Sequence, residues 1–340
     1  MGAWLTWPAY GVLLSVLLFS RLVPDQAARW QFFPFVLGMV FLGLPHGALD
    51  HLAPLFLRHR PLTARYLITF VLGYVALAAA YLAFWQVWPA GALVVFLLLS
   101  WLHWGQGDAY YLEAFGGRKP PPSPAARLLV WAVRGGLPII LPPLVHPHAF
   151  ATVAAGILSW YGGAAGWLPS GQARTAGGVV FGLLVGAYGV RAWRAASRTG
   201  GRGFRRDMGE VAGLTVFFWL TPPILAVGVY FCVWHSARHL ARLVLLDPAD
   251  IEPLARGRMG RVMWRTAGQA LPMTLGALAM LAGLFVWHGR SGGGIGGLVY
   301  LYLSLIAALT FPHFVLVLWM DREERRQGLA DAVLVGGRGD

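Results

Sequence analysis

Apolar residues run along this chain in blocks long enough to cross a bilayer, separated by short polar stretches rich in arginine. Runs of about 17–25 apolar residues qualify as transmembrane helices. They fall at residues 4–19, 32–57, 66–87, 92–112, 128–145, 150–167, 176–192, 211–246, 270–287 and 298–320. The block at 150–167 is glycine-rich and reads as a segment that does not cross. The block at 211–246 is too long for one span at about 1.5 Å per residue. Thr221-Pro222-Pro223 divides it, because proline removes a helix hydrogen bond and disfavours helix in the residue before it. The predicted architecture is an all-α, polytopic transmembrane helical bundle of about ten spans, folded as a single unit.

Charge placement supplies the orientation. Arginines cluster at 58–65, 118–127, 191–206, 256–265 and beyond 321. In this arrangement all five clusters face one side, which makes both termini cytoplasmic under the positive-inside rule. The competing count, with 150–167 crossing and 211–246 one kinked helix, puts the 191–206 arginines outside. Only 12% of the 340 residues are charged and 57% are hydrophobic, against about 25% charged in soluble domains. The net charge of +13 comes with no nucleic-acid motif, so nucleic acid is not an expected partner; the lipid bilayer is. The single cysteine, Cys232, excludes an intrachain disulfide and a cysteine-rich metal site. The first twenty residues lack a basic n-region and a small-residue cleavage site. They read as a first span with Trp4 and Trp7 at the interface. No barrel-like strand pattern is present, which favours a bacterial inner or plasma membrane.

Histidines interrupt this apolar background at informative places. His46, His103, His235 and His239 sit inside predicted spans, where a charged group costs about 2–3 kcal/mol or more and usually marks function. His46 and Asp50 are four apart in GLPHGALDHLAP, on one face if the helix continues through Gly47. Pro45 and Gly47 predict a local break that helps aim the ring. His103 precedes Asp108 in WLHWGQGDAYYL, and His313 lies in TFPHFVLVLWMD. His235 and His239 are again four apart, a spacing at which two imidazoles bind one ion. An imidazole set suits zinc, copper, iron or nickel. Asp50 and Asp108 are expected to accept the distal N–H of ligating histidines, with His51 as a further supporting group. His59, His146, His148 and His288 read as loop or interfacial residues. Among the flanking aromatics, Trp104, Tyr230, Trp234 and Trp101 are the candidates to line a path for a flat apolar substrate. No HExxH or GxSxG motif is present, and few charged groups are available for acid–base work. This favours redox chemistry carried by a metal and O2.

PHGALDH at 45–51, LHWGQGD at 102–108, YFCVWHSARH at 230–239 and PHF at 312–314 resemble the Brp/Blh family of microbial membrane β-carotene 15,15′-dioxygenases. The resemblance runs from about residue 40 to about 321; the region between residues 160 and 206 lies outside its recognisable motifs. It implies Fe(II)- and O2-dependent cleavage of the central double bond of β-carotene to two all-trans retinal molecules. Carried over by motif, the iron ligands are His46, His103, His235 and His239, with His313 an active-site or outer group. It also implies one integral-membrane catalytic domain over 1–340: a first span and loop at 1–31, a family core at 32–321 and a cytoplasmic tail at 322–340. A microbial rhodopsin is the implied acceptor of retinal. Two other classes remain: a histidine-ligated desaturase or hydroxylase, and a metal or proton transporter.

Overall fold

The computed structural model describes residues 2–115, 118, 120–164, 170–196, 202–287 and 294–328. Trp167, His288 and the tail beyond 328 lie outside the described residues, as does the side chain of Trp4. Among the described residues there are helices and no strands. The chain opens with α1 (Gly2–Leu22), α2 (Pro24–Trp30) and α3 (Phe32–Gly38), then a π-helical segment, Met39–Gly43. Next come α4 (Leu44–Ala48), α5 (Ala53–Arg58), α6 (Ala64–Val87), α7 (Pro89–Ala114), α8 (Pro124–Val145) and α9 (Pro147–Ser159). After α10 (Gly171–Ala196) and α11 (Arg202–Leu220) follow α12 (Pro223–Val229), a second π-helical segment, Tyr230–Ser236, and α13 (Ala237–Leu246). The described chain closes with α14 (Pro248–Ala255), α15 (Met259–Trp287) and α16 (Gly294–Arg326).

Eight helical stretches among the described residues are long and apolar enough to cross a membrane, fewer than the ten expected spans. The difference lies in the proline-divided block. α11 carries Arg202, Arg205, Arg206, Asp207 and Glu210, and α13 carries Arg238 and Arg242, so neither passes on composition. Glu210 and Arg238 nevertheless approach to 3.6 Å. A straight rod would hold them more than about 35 Å apart at 1.5 Å per residue. The chain therefore reverses at Thr221-Pro222, and α11 packs back against the rod formed by α12, the second π-helical segment and α13. α9 is an apolar helix of 13 residues, too short to span.

Burial sorts the helices into a centre and a perimeter. Of the apolar window in α16, 61% is buried within the chain, against 11% in each of α6, α10 and α15. α16 is thus the axis, and the outer helices present Ile68, Leu72, Leu183, Leu271 and Leu275 outward, as lipid contact requires. α7 and α8 make the closest pair. A Cβ on Gly105 would strike the Trp131 carbonyl, and one on Gly135 the Trp101 carbonyl. These small residues let two backbones touch, the usual device where both lipid and protein are apolar.

Candidate metal centre

Local irregularities aim the histidines inward. The Met39–Gly43 π-helical segment precedes His46, and the Tyr230–Ser236 segment contains His235. Such bulges shift the helical register and recur at functional sites. His46 stands on the five-residue α4, entered through Pro45 and followed at once by a turn over residues 49–52. The helix therefore does not carry His46 and Asp50 on one face; Asp50 belongs to the turn. His103 comes from α7, His239 from α13 and His313 from α16 just after Pro312.

All five rings are buried and face one another. His46 lies 5.7 Å from His235, 5.7 Å from His239 and 5.0 Å from His313, between ring centroids. His103 lies 4.7 Å from both His235 and His313, and His239 lies 5.0 Å from His313. The Nε2 atom of His103 is 3.1 Å from Nε2 of His235 and 3.1 Å from Nε2 of His313. One ligand atom each from His46, His103 and His313 fits within a 4.8 Å span, as does one each from Asp50, His239 and His313.

Hydrogen bonds behind the rings fix their tautomers. His46 Nδ1 donates to the Gly43 carbonyl, leaving Nε2 as a lone pair. His313 Nδ1 donates to Asp50, 2.8 Å and 3.0 Å from its two oxygens, leaving Nε2 as a lone pair turned toward His103. Asp50 in turn accepts the hydroxyl of Tyr74 on α6 at 2.9 Å. A carboxylate behind an imidazole orients it and raises its basicity.

The residues fit a cation. A proton on His103 Nε2 serves only one of its two close ring neighbours, whereas an ion serves all three nitrogens. Nitrogens held about 2.0–2.1 Å from one ion lie about 3 Å apart. His239 Nε2 is buried without a hydrogen-bond partner, a deficit that an ion relieves for a lone pair.

A family model described as "Beta-carotene 15,15′-dioxygenase" matches residues 37–321, a stretch that contains every one of these histidines. The chain belongs to the β-carotene 15,15′-dioxygenase family. A "Probable beta-carotene 15,15′-dioxygenase Blh" of Halobacterium salinarum is 37% identical over 301 residues, covering 86% of this chain and 85% of its own. The "Probable beta-carotene 15,15′-dioxygenase Brp" of the same organism is 28% identical, covering 85% and 83%. A "Beta-carotene 15,15′-dioxygenase" of an uncultured marine bacterium is 23% identical over 82% of this chain and 90% of its own. No solved structure matches.

Several site expectations for this dioxygenase-family chain change in three dimensions. His313, expected as an active-site or outer group, turns Nε2 inward with the other four. Asp50 supports a histidine as expected, and that histidine is His313, not the sequence neighbour His46. Asp108 supports no histidine: its oxygens take Arg134, Arg238 and, at 3.0 Å, the Trp234 indole N–H. It lies in a buried ionic network, because Arg134 continues to Asp207 and Glu210, and Arg238 lies over the rings of Trp234 and Tyr111. His51 bonds the Ala48 carbonyl at 3.0 Å through Nδ1 and faces a cavity, not the other rings.

Two cavities flank the centre, and of the four aromatics expected on the substrate path only Trp104 lines them. Trp101 instead ties α7 to α8 through the Ala132 carbonyl at 2.8 Å. Tyr230 is fully buried in the core, and Trp234 is held by Asp108. Phe231, 5.2 Å from the His46 ring and stacked on His235, lines both cavities. Tyr74 escaped sequence reasoning because one tyrosine in an apolar span gives no periodic signal; only the fold brings it to Asp50.

Proposed function

We propose that this protein cleaves the central 15,15′ double bond of β-carotene with O2, giving two all-trans retinal molecules, at an iron ion held by His46, His103, His235, His239 and His313. The observation that carries the reading is the convergence of five buried imidazoles inside a membrane bundle, three of which, His46, His103 and His313, line an apolar cavity of about 290 Å³. The names of the relatives supply the substrate and the bond. The reaction balances without a further reductant: the carbon–carbon double bond breaks, and each carbon leaves with one oxygen atom. Iron, which imidazole suits, supplies the activation of O2 when bound.

The chain's own residues supply placement and dryness. Asp50 and Tyr74 hold the His313 ring, and the Gly43 carbonyl holds that of His46. Phe231 and Trp104 present flat faces beside the rings, suited to a conjugated chain. The cavity rim carries exposed Val75 and Gly276 on the perimeter helices α6 and α15, so a hydrocarbon dissolved in the bilayer enters sideways. The host membrane is the bacterial inner or plasma membrane, with both termini cytoplasmic. A transporter reading calls for carboxylates along a route; among the described residues only Asp50 bonds to these imidazoles.

Expression in cells that accumulate β-carotene tests the proposal. Bleaching with retinal in the extract is expected, and His235→Ala is expected to abolish retinal and lower the iron retained by the purified protein. Unchanged pigment with a folded, iron-replete chain would overturn the reading.

A further inference from the structure

The two cavities differ in shape, size and surroundings. The outer one, about 290 Å³, runs from the histidines to α6 and α15 and includes His46, His103 and His313 in its wall. The inner one, about 150 Å³, lies on the other side of Trp104, among α3, α7, α8, α9, α12 and α16. Trp104, Phe231, Ile306 and Thr310 line both, so these four side chains form the partition. The partition touches the centre: the Trp104 ring is 5.8 Å from His235 and the Phe231 ring 5.2 Å from His46.

We propose, on the reading that the substrate is β-carotene, that the inner cavity is a register subsite. One half of the polyene passes the Trp104–Phe231 partition and fills it, and the α9 wall formed by Phe150, Val153, Ala154 and Ile157 stops it there. That stop decides which double bond rests beside the histidines. The other half lies in the outer cavity and runs to the lipid.

Three features support this assignment. A conjugated chain is stiff, so the position of its end fixes the position of its middle, and a misplacement of about 1 Å costs on the order of 100-fold in rate. The outer cavity reaches the exposed Val75 and Gly276 on the perimeter, whereas every residue lining the inner one is buried or half-buried. The stop and the centre share a scaffold: Ala154, Ile157 and Leu158 of α9 pack on Ala307 and Ala308 of α16, the helix that carries His313. Among the described residues of the inner wall, Ser100 and Thr310 carry the only hydroxyls, and the Thr310 hydroxyl already donates to the Ile306 carbonyl at 2.7 Å. The far end is wholly apolar and suits a hydrocarbon ring.

The test uses the iron-loaded full chain, with products separated by chromatography and with folded yield and metal content as controls. Ile157→Ala and Phe150→Ala deepen the subsite; each is expected to shift cleavage off centre, giving unequal aldehydes, with retinal formation falling about tenfold. Val153→Phe fills it. That variant is expected to lose β-carotene turnover about tenfold or more, and to retain less β-carotene on the metal-free protein, a readout that needs no turnover. A polyene shortened at one end, which needs less depth, is expected to be cleaved within about twofold of the parent. If the parent makes retinal while the deepened variants give retinal alone and Val153→Phe keeps both turnover and pigment, the register subsite is overturned and the reaction stands. If the parent makes no retinal, the underlying reading falls instead. Should Val153→Phe fail to reach the membrane, the products of the two deepened variants decide: unequal aldehydes support the subsite, and retinal alone overturns it.

Discussion

Two buried polar regions lie within this bundle, and they resolve the cost of burial in opposite ways. Around Asp108, every carboxylate meets a guanidinium: Arg134 and Arg238 on Asp108, Arg134 on Glu210, Arg134 and Arg118 on Asp207. Tyr10 and Trp234 add donors at 2.7 Å and 3.0 Å. Among the described residues the histidine cluster has one carboxylate bonded to it, Asp50; ring nitrogens of His103 and His239 have no hydrogen-bond partner, and the cluster borders a cavity. The first region pairs each carboxylate with a cation and clamps α7, α8, α11 and the α12–α13 rod together. The second is complete only with something bound. Polarity at depth in a membrane therefore marks function when it lacks counter-charge and lies next to space, and architecture when its charges are paired.

Breaking the comparison from the ionic side should have the largest effect. Asp108→Ala takes a carboxylate from two buried guanidinium groups, leaving Arg134 with Asp207 and Glu210 and Arg238 with Glu210 alone, and breaking a buried pair by removing one partner costs about 3–5 kcal/mol. The expected outcome is loss of folded protein, read by size-exclusion of detergent extracts. His313→Ala, from the other side, is expected to leave folding intact while metal retention and retinal formation fall by about 100-fold, at the upper end of what removing a mere supporting group costs. A protein that keeps its metal would return His313 to an outer role. Asp50→Asn keeps the shape but weakens the hold on His313; metal affinity is expected to drop about 10–100-fold with yield unchanged, measured by chelator competition. His51→Ala is expected to change activity by less than about twofold, because its ring bonds only the Ala48 carbonyl. A large loss there would give the outer cavity a polar role.

Much of the site was legible along the chain because apolar blocks make every polar residue conspicuous. Four histidines in three separate blocks, with their local motifs, stood out without a structure. Asp108 misled for a physical reason: five residues from His103, it looks like that histidine's partner, but its real partners come from α8 and the second π-helical segment through α13. Tyr230 and Trp234 misled similarly, since closeness in sequence to His235 does not say which side of a π-helical turn faces the cavity. The sequence reading counts α11 as a span, whereas length and composition alone pass it over, because its charges are paired within the protein.

Local patterning alone established that the chain is a helical membrane bundle, that its break comes at Thr221-Pro222-Pro223, and that imidazoles sit at membrane depth. These follow from helix period, proline chemistry and the cost of polarity in hydrocarbon, each felt within a few residues. The fold decided that His313 faces the others, that Asp50 serves it across 263 residues, and that two cavities meet at Trp104 and Phe231. Those outcomes depend on which faces of distant helices meet, and packing, not periodicity, makes that choice.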